Sequence, residues 1–400
     1  MTDTLSAVAA APGRRVLVVH PAMAPYRSDL FNLVARRCDL RVLFLAALPP
    51  YDANLSRDEL AAALECDWSV LADESGSPMR ALPGRLRREV ATFAPDAVVT
   101  HEFGWASVLS TLTPLAGRRA GRVLWTTRST DQFDRLAASR RAAIRLLAPR
   151  ADAMLVYSQA SRARLAAIAG IPESRIFVCA NHQDAARLRR LADAARGAAI
   201  DRCGSLGLLD APLVVTVGRL VPIKDIATTI RGFAGARGFM GKAVLVIIGD
   251  GPLRGDLEDL ARQAGIVERV VFLGHLSAAE VQGWLSIASL TVLASLAEPF
   301  GAVVAEGLAH GVPCICSTAA GAAVLVDAEE RGATVPPGDV HAMAGALRSR
   351  TGGLRPVTEL ATHRRADLRP LTVEDDARGF HAAIDHAVAS RMARLGRVAS

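Results

Sequence analysis

Short runs rich in β-branched residues alternate with longer stretches of helical period along nearly the whole chain, and the alternation starts twice. In the first half the runs include Val16 to Val19, Arg41 to Leu45, Ala97 to Thr100, Val123 to Thr126 and Ala153 to Tyr157. From Pro212 the pattern begins again, with Leu213 to Val217, Val244 to Ile248, Val270 to Leu273, Leu290 to Leu293 and Pro313 to Ser317. Strands separated by helices pair in parallel, and the helices then cover the faces of the sheet. Two α/β lobes in succession are expected, and 400 residues suit two domains of roughly 150 to 200 each.

The segment from about Ala185 to Leu209 is rich in Arg and Ala, helical in period, and joins the lobes, with the hinge near Asn181 to Asp210. The expected domains are 1–195, 196–372, and a C-terminal helix and tail, 373–400, that crosses back to the first domain. After the Pro336-Pro337-Gly338 turn, Asp339 is placed to cap a helix beginning at Val340. A last helix, from about Val373 to Arg391, carries Phe380, Ala383, Ile384 and Ala387 on one face.

Composition narrows the class. With 51% hydrophobic residues and its 32 glycines and 20 prolines dispersed as loop punctuation, the chain reads as globular. Met1 to Arg15 lacks an early basic cluster and is a poor secretory signal, which places the protein in the cytoplasm. Apolar runs are too short, or too interrupted by Glu306, His310 and Pro313, to cross a bilayer. Six scattered cysteines, with Cys314 and Cys316 at alternate positions of an apolar run, suit packed reduced thiols. The net charge of +7 belongs to the first half, where 26 Lys and Arg face 19 Asp and Glu. A basic lobe favours a phosphorylated acceptor, an acidic membrane surface or nucleic acid; plain solubility is the competing reason. Only two lysines, Lys224 and Lys242, stand among all these arginines.

In doubly wound sheets ligands sit beyond the carboxyl ends of the strands, so the loops there carry the chemistry. The loop after Leu213 to Val217 holds Gly218, Arg219 and Lys224, and Asp225 caps the helix that follows. Gly218 lets a ligand approach the backbone, while Arg219 and Lys224 can share a diphosphate beside a helix N-terminus. Alone, the pair also suits a surface Arg and Lys near a helix start. The loop Gly249-Asp250-Gly251-Pro252 shapes the cleft, and Gly274 and His275 end a strand where backbone groups can read a base edge. The third loop, Glu298-Pro299-Phe300-Gly301-Ala302-Val303, leads into a helix expected from Phe300 to His310. Its first amides, at Gly301, Ala302 and Val303, can bind phosphate or sugar hydroxyls. Glu306 lies in an otherwise apolar helix, where an unpaired charge is costly, and a carboxylate there can take both hydroxyls of a ribose.

The Arg219/Lys224 pair, the two glutamates Glu298 and Glu306 with seven residues between them, and Gly311-Val312-Pro313 before a strand together resemble family 4 of the retaining GT-B glycosyltransferases. The likeness spans roughly residues 14 to 390, with His20-Pro21-Ala22-Met23-Ala24-Pro25-Tyr26-Arg27 as the loop after the first strand, Ser158-Gln159-Ala160 after a later one, and Asn181-His182-Gln183-Asp184 at the hinge. It implies two Rossmann-like lobes whose parallel sheets face each other across a cleft that closes on the substrates. By that resemblance Arg219 and Lys224 hold the donor diphosphate, Glu306 the ribose and Glu298 the transferred sugar, with Phe300 to Val303 at the donor. His101 matches a first-lobe histidine near the donor sugar, though a packing histidine is the plain alternative. Tyr26 and Arg27 stand in the acceptor loop, where the family often has a Gly-Gly pair, and the run after Ser317 lacks the family's glutamate.

The resemblance implies transfer of a hexose from a nucleotide-diphosphate sugar to a glycan or lipid-linked acceptor, with retention. Arg219, Lys224 and the helix start can neutralise the departing diphosphate without a metal. Neither a cofactor nor nucleic acid is expected. Contact with the inner membrane face is a further expectation, raised by Arg135, Arg140, Arg141 and Arg145 along an apolar-faced helix. The rivals are a non-catalytic binding protein, opposed by the diphosphate constellation; a nicotinamide dehydrogenase, opposed by the absence of a complete glycine fingerprint; and a sugar epimerase of the same fold, which needs no acceptor.

Overall fold

The computed structural model describes residues 13–24, 26–47, 57–71, 78–128, 130–362 and 365–398. Residues 1–12 of the stretch read as a poor secretory signal, and Pro25 of the acceptor loop, fall outside these residues. The chain forms two compact units, one of 1–128, 133–181 and 373–400, the other of 182–372 with 129–132.

The first unit holds a seven-stranded parallel sheet. Its strands are β1 (Arg15–Ala22), β2 (Asp39–Ala46), β3 (Asp67–Val70), β4 (Ala97–His101), β5 (Gly121–Trp125), β6 (Ala153–Val156) and β7 (Ile176–Val178). The order is β3-β2-β1-β4-β5-β6-β7. Consecutive strands run outward one way from β1 and the other way from β4, so the winding reverses between these two. The central strands are apolar at nearly every position because helices cover both faces. β1 runs on to Ala22, so His20 is a strand residue and not part of the following loop.

The C-terminal helix, Val373–Val398, packs into the core of this unit. Phe380, Ala383 and Ala387 are fully buried and Ile384 nearly so. Their spacing of three and four is the stripe a helix turns toward a sheet. Near its end Arg391 and Arg394 close on the fully buried Asp152 at 2.9 and 3.2 Å. At its start Asp376 accepts a hydrogen bond from the amide of Ala180 at 2.8 Å.

The second unit repeats the architecture with six parallel strands. They are β8 (Leu213–Val217), β9 (Val244–Ile248), β10 (Val270–Gly274), β11 (Leu290–Leu293), β12 (Cys314–Ser317) and β13 (Gly332–Val335), in the order β10-β9-β8-β11-β12-β13. Here the winding reverses between β8 and β11. Cys314 and Cys316 are free, buried strand residues.

The division between the units falls at Asn181/His182, not at the expected 195/196. The reason is the helix Ala185–Ser205, which belongs wholly to the second unit. Leu188, Ala192, Ala195, Ala199 and Cys203 form its buried stripe. Ala195 lies against Gly283 of the helix Ala278–Ser286, where a Cβ on the glycine would stand 2.9 Å from the Ala195 carbonyl oxygen. A boundary at 195 would cut this helix in half. In the arginine-rich helix Ala138–Leu147 the apolar residues Ile144 and Leu147 are buried in the first unit's core, while Leu146 is exposed. Arg141 donates to the carbonyls of Leu136 and Asp134, and Arg145 to that of Ile168. No described helix is long and apolar enough to cross a membrane.

Candidate functional site

In open α/β sheets ligands sit outside the carboxyl ends of the strands where the winding reverses, which points to two places in this chain. In the second unit the loops after β8 and β11 meet there. The amide of Leu296 donates to the carbonyl of Ile223 at 2.9 Å, drawing the two loops together. Across this junction Lys224 Nζ donates to Glu298 Oε2, and the Ser295 hydroxyl lies 3.5 Å from the same oxygen. Both charged side chains are largely withdrawn from solvent, at 20% and 13% exposure. Arg219 is exposed on the same loop.

The loops after β8, β9 and β10 are stitched by their backbones. Gly218 N–H bonds the Ile248 carbonyl at 2.9 Å, Leu220 N–H that of Asp250 at 2.9 Å, and Gly249 N–H that of Gly274 at 2.8 Å. Gly249 has φ +133°, and a Cβ there would stand 2.0 Å from the Gly218 carbonyl oxygen, so only glycine permits the approach. Gly274 is buried in this seam while His275 beside it is exposed. Asp225 caps the helix Ile226–Ala236 by accepting from the Thr228 amide at 3.3 Å, as its position in the sequence suggests.

The third loop ends in the helix Ala302–Ala309, so Phe300 precedes the helix and does not begin it. Its ring is buried at 3% exposure, edge-on to His182 with centroids 6.0 Å apart, which makes Phe300 a packing residue of the loop. Gly301, at φ +96°, is the helix N-cap and offers no side-chain cap. A Cβ there would fall 2.4 Å from Leu293 Cδ2. The first amides, at Ala302 and Val303, thus stand at a positive helix end that carries no capping oxygen from Gly301. Val303 contributes only backbone, since its side chain is buried.

Glu306 is not the unpaired carboxylate that its apolar helix suggests. Gln183 Nε2 donates to one oxygen at 2.6 Å and Gln282 Nε2 to the other at 3.0 Å. Gln282 in turn accepts from His310 Nε2 at 2.8 Å. Burial, with the charges of Arg189 and Arg365 behind it, pushes His310 down to about 4, so it is neutral at pH 7 and donates one proton to the glutamine. A carboxylate has about four lone-pair sites, and the two amides leave room for ribose hydroxyls. Gln282 carries no motif and was invisible in the sequence; Gln183 stood in the hinge motif without an assigned role.

In the first unit the winding reversal lies between β1 and β4, and β1 residues 16–19 pair in step with β4 residues 97–100. His20 and His101 are the next pair in that register. The register places Phe44 beside His20, and Trp125 beside His101. The two imidazoles meet with centroids 4.9 Å apart, and His101 lies 5.7 Å from Trp125. Burial, then the charges of Arg27 and Arg128, lowers His101 to about 3, which leaves it a neutral imidazole. Arg27 is not a surface cation: it is 2% exposed, lies 4.2 Å over the Trp125 ring, and donates to the Tyr157 hydroxyl. Tyr26 is half-buried beside it. Glu102, next to His101, is held by Thr126, Thr127 and Arg128. Among the described residues, no group of three His, Cys, Asp or Glu is placed to hold a metal ion.

Comparison with known proteins follows the same division. A family model described as Glycosyltransferase Family 4 matches residues 30–187, and one described as Glycosyl transferases group 1 matches residues 205–350. The GDP-mannose-dependent alpha-(1-6)-phosphatidylinositol monomannoside mannosyltransferase of Mycobacterium tuberculosis is 29% identical over 281 residues, 66% of this chain and 70% of that protein. An uncharacterized glycosyltransferase of Methanocaldococcus jannaschii is 34% identical over 135 residues, and the chain spans only 34% of its length. Among solved structures, Anabaena HepE in complex with UDP and glucose superposes with a TM-score of 0.68 at 18% identity, over 93% of this chain and 99% of that one. With both halves of the chain matched, and two parallel-sheet units of the GT-B kind on the page, the protein belongs to the group 1, family 4 glycosyltransferases.

Proposed function

We propose that the protein transfers a hexose from a nucleotide-diphosphate sugar to an acceptor hydroxyl, with the donor held by the second unit. The observation that carries this is the Lys224–Glu298 pair at the β8/β11 reversal, with Arg219 on the same loop and the Gly301 helix start on the other. The diphosphate takes Lys224 from Glu298, and Glu298 is released to accept from hydroxyls of the sugar. Arg219 supplies a planar pair of donors, and the amides of Ala302 and Val303 meet the charge that grows on the leaving oxygen. Gly218 and Gly274 give backbone access to diphosphate and base, with His275 at the rim. Glu306, aligned by Gln282, accepts from the ribose.

In this reading the C1–O bond to the diphosphate breaks while the acceptor oxygen bonds C1 from the same face. The acceptor proton passes to the departing phosphate oxygen, so configuration is retained and no protein base is required. Charge neutralisation by Arg219, Lys224 and the helix end takes the place of a metal. The M. tuberculosis relative, named for a GDP-mannose donor and a phosphatidylinositol monomannoside acceptor, supports a glycolipid or glycan acceptor here.

The test is thermal stabilisation of wild type and Glu306→Ala by UDP, GDP, ADP and dTDP sugars, with and without chelator. A chelator-insensitive shift with one nucleotide, lost in Glu306→Ala, is expected. A shift that needs a divalent cation would overturn the metal-free step, and consumption of donor without acceptor would favour an epimerase.

A further inference from the structure

Each of the two amides that hold Glu306 is itself held from behind. Gln183 Nε2 donates to one carboxylate oxygen and Gln282 Nε2 to the other. Arg187 Nη2 donates to Gln183 Oε1 at 2.9 Å, one helical turn along the chain. His310 Nε2 stands 2.8 Å from Gln282 Oε1. Gln183, Gln282 and His310 are all buried, so water does little to compete for these bonds.

An amide side chain is nearly symmetric in shape and opposite in polarity at its two ends. A half-turn about its last bond exchanges an N–H donor for a carbonyl acceptor. A carboxylate only accepts, and a turned amide would set oxygen against oxygen. The groups behind oppose that turn. Arg187 has donors and no acceptor, so Gln183 shows it Oε1 and keeps Nε2 for Glu306. Burial, with the charges of Arg189, Arg365, Arg196 and Arg369, keeps the His310 ring neutral, with one proton to place. With a carboxylate at the far end the relay has a single polarity: His310 Nε2–H to Gln282, and Gln282 Nε2–H to Glu306.

The amides are shared one to each oxygen. A carboxylate oxygen has about two lone-pair sites, so each oxygen keeps one. Two acceptors side by side suit a vicinal diol, with one hydroxyl on each, and a single hydroxyl fills only half of them. We infer that Arg187 and His310 are positioning residues that make Glu306 a reader of the complete ribose diol, so that the donor is a ribonucleoside-diphosphate sugar and 2′-deoxy donors bind weakly. The inference rests on the proposed ribose contact of Glu306. Arg187 and His310 act through the glutamines and touch no part of the nucleotide.

Calorimetry on the full chain, with UDP, GDP and ADP each beside its 2′-deoxy and 2′,3′-dideoxy forms, reads the ribose contact directly. For the base that binds, wild type is expected to prefer the ribonucleotide over either deoxy form by at least about tenfold, as a site built for a hydroxyl does. Arg187→Met and His310→Leu should each cut that preference to less than about threefold while leaving affinity for the dideoxy form near that of wild type, which a general loosening of the fold would not do. Arg187→Lys and His310→Gln return an N–H donor and should restore most of the preference. Arg187 is only half-buried, so its variants carry the test even where His310→Leu fails to fold. A preference that survives in both Arg187→Met and His310→Leu overturns the positioning role alone. Equal binding of all three sugar forms by wild type overturns the ribose contact of Glu306 and this inference with it, and no binding of any nucleotide overturns the donor reading on which both stand.

Discussion

Lys224 shows how far a single residue could be read. Its retention in a chain of arginines, at a helix start after a strand, marked it in the sequence, and the structure joins it to Glu298 across 74 positions of chain. What the sequence could not show is that its charge is already answered. A compact ammonium on a flexible stem can leave one oxygen for another, whereas an arginine fork would hold Glu298 by two bonds. Lys224→Ala is expected to lower kcat/KM by roughly 10²–10³-fold, the effect of losing one donor to a developing oxyanion. Lys224→Arg should recover little of it, and steady-state kinetics on the nucleotide sugar that stabilises wild type measures both. Glu306 teaches the converse. The cost of burying its charge was legible, but the residue that meets the cost, Gln282, has no signature because an amide on a helix becomes informative only when its neighbours are known.

At the scale of elements, periodicity was sufficient wherever a strand is buried on both sides. The strands absent from the sequence reading, β3, β7 and β13, are all sheet edges of three or four residues. An edge strand pairs on one side only, so it needs neither length nor a continuous apolar run, and Asp67-Trp68-Ser69-Val70 offers neither. The last helix was legible through its apolar stripe, while its anchor on Asp152 was not, because the partners lie more than two hundred positions apart. This helix packs on β5, β6 and β7 and against the helix Ser28–Ala35. Phe380→Ala should cost about 3–5 kcal/mol through the cavity it leaves, seen as a lower denaturation midpoint of the first unit, with the nucleotide-induced stabilisation of the second unchanged.

For the whole molecule, acid should be destabilising in both units. His101 and His310, at about 3 and about 4, and His20, also well below its ordinary value, are neutral when folded. Once unfolded they titrate near 6.5. Below that pH the unfolded chain binds protons that the folded chain refuses, so their contribution is intact above about 6.5 and is lost as pH falls toward the folded values. Each adds a slope of about 1.4 kcal/mol per pH unit in that window. Urea midpoints between pH 7 and 4 should fall for both units, and His310→Gln should flatten the slope of the second alone. A slope unchanged by that substitution would place the titrating group elsewhere. The amino-acid order by itself determined two successive parallel sheets, the loops of the candidate donor site, and the returning helix, because period, glycine placement and caps act over a few neighbours. Tertiary structure alone decided where the units divide, which partners hold Lys224 and Glu306, and that His20, Arg27, His101 and Trp125 share one locus. Those follow from strand order and register, which bring together residues that have no local reason to meet.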